Sequence, residues 1–256
     1  MQRIDIVGGV FRDLLFYGDV HSKDVLEMTG GTGYNVFAGL RALGIEVAFH
    51  SAAGDDSSIE GVASIEGEHT GIFVCRNEKE VLAVYRGANL HLSMRPVESN
   101  LLFATLECGG DCFLQYARQM KQAGGIVIVD PSPVFEWQPS YIDFCDVLIP
   151  NEKEFQLIAA SIPQNKPVFL KRGVNGGSYL HNGVEMKQII AEQGVYPLGC
   201  GDAFDVAVLY GLIKHLPPEE ILKMAVRAGE KTSLVPGSSA AVVHAVQSVL
   251  HHETSM

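Results

Sequence analysis

Apolar residues run along this chain in two rhythms. In some stretches every position is apolar, as in Ile126-Val127-Ile128-Val129 and Val147-Leu148-Ile149, and the run stops at Asp130 or Pro150. In others the apolar residues recur three and four apart, as Val36, Phe37, Leu40 and Leu43 do. The first rhythm suits strands covered on both faces, the second amphipathic helices. Strands are predicted over 3–9, 47–56, 101–107, 126–133 and the start of 145–160, and helices over 33–44, 112–125, the second half of 145–160, 203–215, 218–233 and 238–252. Residues 166–181 read as two strands around a Gly-rich turn. Gly44 and the Gly124-Gly125 pair stand where helices should stop. Such alternation predicts an α/β fold with a mostly parallel sheet between helices.

One region breaks the rhythm. Residues 70–93 give two strands around Asn77-Glu78-Lys79 with no helix between, and with 10–18 they are expected to form a small β sheet standing off the main body. The 256 residues suit a single α/β domain carrying that appendage, and no composition shift, repeat or low-complexity tract marks another. Hydrophobic residues make up 47%, enough for a large core, and the 19% charged is usual for a soluble enzyme. A net charge of −11 argues against a nucleic-acid partner, so an anionic ligand must be held by local N–H groups. Cys75, Cys108, Cys112, Cys145 and Cys200 are odd in number and form no CxxC pair, which argues for a reducing compartment over a disulfide framework. The start of the chain does not read as a signal peptide, and no run reaches the ~18 apolar residues of a membrane span. A soluble, cytoplasmic protein with no membrane partner is the expectation. The nine histidines show no metal-ligand spacing, and His251-His252 reads as a solvated tail.

Candidate chemistry concentrates where glycines precede helices. Gly199-Cys200-Gly201-Asp202 opens a helix that is apolar on nearly every side. As a plain N-cap, Asp202 would stabilise that helix by about 1 kcal/mol. A plain cap does not need bare backbone ahead of it. The other reading has the amides of 199 to 202 hold a phosphoryl group while Asp202 accepts the proton of an attacking hydroxyl. In 29–44, Gly31-Thr32-Gly33 lacks the third glycine of a dinucleotide fingerprint, because Val36 stands there. A glycine turn and helix cap would explain it; alternatively Asn35, one turn in, faces the loop and bonds hydroxyls of a polyol. Asp13 reaches the same opening or is an exposed loop acid. Asn151 and Glu154 share one helix face. Capping and solvated charge explain them, or Glu154 orients water around Mg²⁺ beside a triphosphate. Residues 171–177 and 235–241 read as flexible or small-residue turns able to flank a nucleotide.

In order, these pieces resemble the ribokinase-like (PfkB) family of carbohydrate and nucleoside kinases. "GGTGYNVFAGLRALG" (30–44) is similar to its N-terminal signature and "GCGDAF" (199–204) to its C-terminal one. Gly54-Asp55-Asp56, "RGANLHLS" (86–93), "VDPSP" (129–133) and "PNEKEF" (150–155) fall in family order between them. The resemblance implies a three-layer α/β/α sandwich with a small β lid, formed from about 10–18 and 70–93. It also implies transfer of the γ-phosphate of ATP to a hydroxyl. Asp202 would be the base, and the amides of Gly199, Cys200 and Gly201 the anion hole. Asp13, Gly30, Gly31 and Asn35 would meet the sugar. Asn151, Glu154, Lys171, Gly173, Gly176 and Gly237 would border ATP, with Glu154 near Mg²⁺.

Three departures stand out. Tyr196-Pro197 replaces the Asp-Thr pair that in many members helps hold a monovalent cation, so potassium-independent or low activity is expected. Cys200 stands in place of the usual Ala, where the backbone N–H is the working group. Residues 56–70 are shorter than the helix-bearing segment usual there, which points to a reduced lid. The favoured reading is a sugar or polyol kinase. Alternatives are a nucleoside kinase stacking a base on Phe73 or Tyr85, and a catalytically weak binding protein of the same fold. A phosphosugar acceptor would call on Arg12 or Arg86. A homodimer through the lid edges is expected.

Overall fold

The computed structural model describes residues 3–19, 21–59 and 61–250; the His251-His252 tail and the last two residues of the helix expected over 238–252 lie outside them. Fourteen strands and six α-helices follow one another along the described residues. The strands are β1 (Arg3–Val7), β2 (Phe11–Tyr17), β3 (Asp24–Gly30), β4 (Glu46–His50), β5 (Ala52–Gly54), β6 (Ala63–Ile65), β7 (Gly71–Arg76), β8 (Glu80–Tyr85), β9 (Leu101–Ala104), β10 (Ile126–Val129), β11 (Val147–Leu148), β12 (Val168–Lys171), β13 (Gly177–His181) and β14 (Val184–Gln188). The helices are α1 (Thr32–Ala42), α2 (Gly110–Gln122), α3 (Glu152–Ile158), α4 (Cys200–Ile213), α5 (Pro218–Thr232) and α6 (Ser239–Leu250).

Eight strands form the main sheet in the order β14-β13-β12-β11-β10-β9-β1-β4. The six from β12 to β4 run parallel, and β13 and β14 are antiparallel additions at one edge. The all-apolar runs follow from burial on both faces. Ile4, Ile6, Phe103, Ile128 and Phe169 pack with α1, α4, α5 and α6. Their neighbours Val7, Leu102, Ala104, Val127, Val129, Val168 and Leu170 pack with α2 and the Tyr141-Ile142 turn on the other side. Each such side chain contributes roughly 1.5–3 kcal/mol of burial. Helix α4 is apolar on nearly every side because sheet and helices enclose it: Ala203 to Tyr210 are buried without a break, Asp205 being the one acid among them.

A second sheet of four strands has the order β3-β2-β7-β8. Its strands β2, β7 and β8 fall within the stretches expected for a lid. Strand β3 was not foreseen: Asp24 to Glu27 are exposed, so the stretch lacks the half-buried alternation that announces a strand. Strand β14, an exposed edge strand, escaped for the same reason. In the short 56–70 segment the described residues contain no helix, only β6, which pairs parallel with β5.

One buried polar cluster ties β1 to its neighbours. Asp5 is fully buried, and its carboxylate meets His50 Nε2 at 2.6 Å and the amides of Glu98 and Ser99 at 3.0 and 2.8 Å. Burial alone would raise the Asp5 pKa, but the bonds from His50, Ser99 and Glu98 together hold it below the ordinary carboxylate value. A depressed native pKa stabilises the fold above the unfolded value and ceases to do so as pH falls through the native one. Asp5→Asn should therefore cost about 2 kcal/mol at neutral pH. That gap should narrow below about pH 4. Urea titrations of both proteins between neutral and acid pH check this, and a gap that stays constant would refute it.

Candidate active site

Two cavities, of about 380 and 650 Å³, open side by side where the parallel strands end. This is the usual place for ligands in open α/β sheets, because the loops leaving the strands are free of helix packing there. Thr32, Ser132, Pro197 and Asp202 line both cavities. Asp202 is thus a half-buried acid at a junction, not a group sealed in the core.

The start of α4 explains its glycines. Gly199 is the N-cap residue with φ 77°, a left-handed conformation that costs glycine little, and a Cβ there would sit 2.9 Å from Val242 Cγ2. The Cys200 amide makes a long bond to Pro197 O at 3.4 Å, and the first regular bond is Ala203 N–H to Gly199 O at 2.9 Å. Between them the amides of Gly201 and Asp202 meet no backbone acceptor, and no side chain caps the helix. Of the expected Gly199, Cys200 and Gly201 set, only the Cys200 amide is engaged, and the Asp202 amide joins the open donors. Asp202 does not cap; its Oδ2 accepts a 2.6 Å bond from Asn35 Nδ2. Burial raises the Asp202 pKa, while the Asn35 bond and the Lys171 charge work against the rise. Burial also pushes the Cys200 thiol up to about 12, so it stays protonated.

The start of α1 is occupied. Glu107, three residues beyond β9, accepts from the amides of Gly9, Thr32 and Gly33 at 2.8, 2.9 and 3.0 Å. With these N–H groups taken, α4 rather than α1 keeps open donors for an anion. Burial pushes the Glu107 pKa up to about 7 against those bonds. Gly33 is required by close approach, since a Cβ there would lie 2.6 Å from Gly8. Asp13 on β2 is buried, not an exposed loop acid. Its Oδ2 accepts from Ser238 Oγ at 2.8 Å, and Oδ1 has no donor. Burial, with Asp202 and Glu107 adding to it, raises the Asp13 pKa to about 7.

On the larger cavity Lys171 ends β12. Its Nζ reaches Asp130 Oδ2 at 2.8 Å and Asp205 Oδ1 at 3.1 Å. Burial would lower the Lys171 pKa, but Asp130 and Asp205 outweigh it and hold it above the usual value. Lys171 is thus an ion-paired bridge between β10, β12 and α4, not a group on a flexible turn. A Cβ at Gly201 would lie 3.9 Å from its ammonium, so the charge stands beside the open amides. Glu154 is likewise buried rather than solvated. It completes a capping box with Asn151: its N–H donates to Asn151 Oδ1 at 3.0 Å and its Oε2 accepts from Asn151 N–H at 2.7 Å. Burial and the Asp130 charge raise its pKa to about 7.

Asp13, Gly31, Asn35 and Gly199 line the smaller cavity, and Asn151, Glu154, Lys171, Gly173, Gly176, Cys200 and Gly201 the larger. Two candidates line neither. Gly30 backs the Asp13 carboxylate, with which a Cβ at that position would collide. The Gly237 amide is engaged by Glu78 Oε2 at 3.2 Å. Phe73 and Arg86 line the smaller cavity, whereas Tyr85 and Arg12 do not; Arg86 is paired to Glu136 at 2.7 Å. Sequence reasoning missed Glu107, Asp130, Asp205 and Ser238. Acids ending the apolar runs 101–107 and 126–130 were the available signal for the first two.

Residues 1–245 match the family model described as pfkB family carbohydrate kinase. A ribokinase of Lactococcus lactis subsp. lactis is 23% identical, with 89% of each chain covered. The solved ribokinase of Cryptococcus neoformans var. grubii in complex with ADP superposes with a TM-score of 0.84 at 18% identity, covering 98% of this chain and 100% of that one. A nucleoside kinase of Burkholderia thailandensis in complex with inosine superposes with a TM-score of 0.78 at 16% identity, covering 97% and 98%. No helix among the described residues is long and apolar enough to cross a membrane.

Proposed function

We propose, from the premise that the chain belongs to the pfkB family of carbohydrate kinases, that it moves the γ-phosphate of ATP to a hydroxyl of a sugar or sugar-like polyol. The observation carrying this reading is Asp202, an acid lining both cavities with two unengaged amides at its own helix start. ATP would occupy the larger cavity and the acceptor the smaller. The acceptor oxygen attacks the γ-phosphorus as its proton passes to Asp202; the bond to the β-phosphate oxygen breaks and ADP leaves. Charge growing on the transferred oxygens meets the Gly201 and Asp202 N–H groups, which need no reorganisation to receive it. Asn35 holds the base, and Asp13 Oδ1, lacking a donor, accepts from an acceptor hydroxyl.

Mg²⁺ would neutralise phosphate charge in this reaction. The donors fit it: Glu154 and Asp130 line the larger cavity, and Asp130 Oδ1 has no partner. No cluster of three or more acidic, His or Cys side chains among the described residues could hold a metal alone, which suits an ion that keeps waters and binds largely through phosphates. The Tyr196-Pro197 stretch contributes no carboxylate. Rates in potassium and in sodium are therefore expected to agree.

A nucleoside acceptor is the second reading. The apolar wall made by Phe11, Phe73, Val81 and Val84 supports it, as does the inosine-bound relative. ADP release from ATP, measured across sugars, polyols and nucleosides, separates the two; calorimetric binding without ADP formation would overturn both. Five free cysteines suit a cytoplasmic setting. Exposed Val25, Leu26, Val81, Leu82, Val84 and Tyr85 on the outer strands β3 and β8 suit a homodimer, which sedimentation would test.

Asp13→Ala should raise the acceptor KM by about 10–100-fold and leave the ATP KM unchanged, the loss of one or two charge-assisted bonds. With a native pKa of about 7, Asp13 becomes a carboxylate only above that pH. The acceptor KM should accordingly fall as pH rises through 7 and flatten in the variant. Equal effects on both substrates would remove Asp13 from the acceptor site.

A further inference from the structure

The turn between β7 and β8 does not end in solvent. Asn77 and Glu78 hold φ of 50° and 56°, left-handed values that a tight hairpin requires. Glu78 is 1% exposed, and its carboxylate accepts from Tyr17 Oη at 2.5 Å and from Gly237 N–H at 3.2 Å. Asn77 N–H donates to Phe16 O at 2.8 Å. The turn is therefore pinned to its own sheet on one side and to the loop before α6 on the other.

That docking delivers the next residue, Lys79, to the wall of the larger cavity. Two cations line this cavity, and Lys171 is committed to Asp130 and Asp205. Lys79 is exposed and makes no ion pair among the described residues. Asp130, Glu154, Glu192, Asp202 and Glu230 also line the space, so a polyphosphate entering it meets more acids than bases. Gly201 and Asp202, whose amides are open, line the same cavity as Lys79.

We propose that Lys79 is a phosphate-binding residue whose ammonium pairs with the polyphosphate of the nucleotide, and that Glu78 is the positioning residue that docks its turn. This rests on the kinase reading for the identity of the ligand. The same hairpin carries Phe73, Val81 and Val84 to the smaller cavity, so one element touches both substrates.

ADP and adenosine binding, measured by calorimetry with Mg²⁺ on the intact chain, tests this without turnover. Lys79→Met should weaken ADP about tenfold, as expected for one charge-assisted contact, and leave adenosine within about twofold. It should also make the salt dependence of ADP binding shallower, and Lys79→Arg should restore most of the affinity. Glu78→Gln, which keeps the shape but removes the charge that holds Tyr17 and Gly237, should weaken ADP and spare adenosine. Unchanged ADP affinity in Lys79→Met, with wild-type turnover intact, overturns the inference and leaves the kinase reading standing. Equal loss of ADP and adenosine also overturns it, as a structural effect. Weaker ADP binding in a chain that turns over no acceptor would sustain the phosphate site and sink the kinase reading.

Discussion

Asp202→Asn should lower kcat by about 10³-fold, within the range for loss of a general base, while the ADP Kd stays within about twofold. The variant keeps shape and can still accept the Asn35 bond at its oxygen, so the smaller cavity should hold its form. The stability readout separates the two roles weighed for this residue. Asn caps a helix about as well as Asp, so a capping role predicts little change in stability. Here no cap is made, and the native pKa is raised by burial. A carboxyl whose native pKa exceeds its unfolded value holds its proton more tightly when folded, so its charged form destabilises at neutral pH. Removing that charge should raise Tm by roughly 2 °C or more. Gain of stability with loss of turnover marks a functional acid; an unchanged Tm with turnover within a few-fold would return Asp202 to the role of a cap.

Lys171→Met should be the most destabilising of these changes. It strands Asp130 and Asp205, one 2% and the other 0% exposed, without their shared cation. Breaking a buried pair by removing one partner costs about 3–5 kcal/mol, or roughly 10 °C in Tm for a chain of this length. The Lys171 charge itself is lost only as pH rises through a native pKa above the ordinary lysine value, so the wild type shows no such loss between about pH 5 and 9. In the variant the acids set the pH dependence. With Lys171 present, burial already holds Asp205 well above its ordinary value and Glu154 at about 7, and the Lys171 charge opposes both rises. Without that charge both rise further and hold their protons more readily, so the deficit should be smaller at acid than at alkaline pH. Thermal melts of both proteins across that range check this; a deficit independent of pH would show that packing, not charge, is what Lys171 supplies.

The main sheet was largely legible because its strands and helices differ in period. Residues 126–129 and 33–44 announce their states without reference to anything distant. The glycine loops at 31–33 and 199–201 were also visible, since bare backbone before a helix is a local signature. Less legible were the elements whose environment is mixed. Strand β3 pairs along β2 yet exposes most of its side chains, and Glu154 carries the pattern of a solvated helix charge while lying buried beside Asp130. For Lys171 a Gly-rich neighbourhood suggested a mobile turn, though the residue itself belongs to the end of a buried strand.

Chain order alone determined the layered α/β plan, the two glycine-rich helix starts and the choice of Asp202 as the acid to watch, because periodicity, backbone freedom and helix-end polarity are properties of neighbours in sequence. Tertiary structure alone decided which helix start stays open, through Glu107 closing the one at Thr32 from beyond β9. It also decided that Lys171 faces two carboxylates and that the turn between β7 and β8 reaches the larger cavity. Those outcomes depend on which strand ends meet in space, and burial and charge act through that distance rather than through separation along the chain.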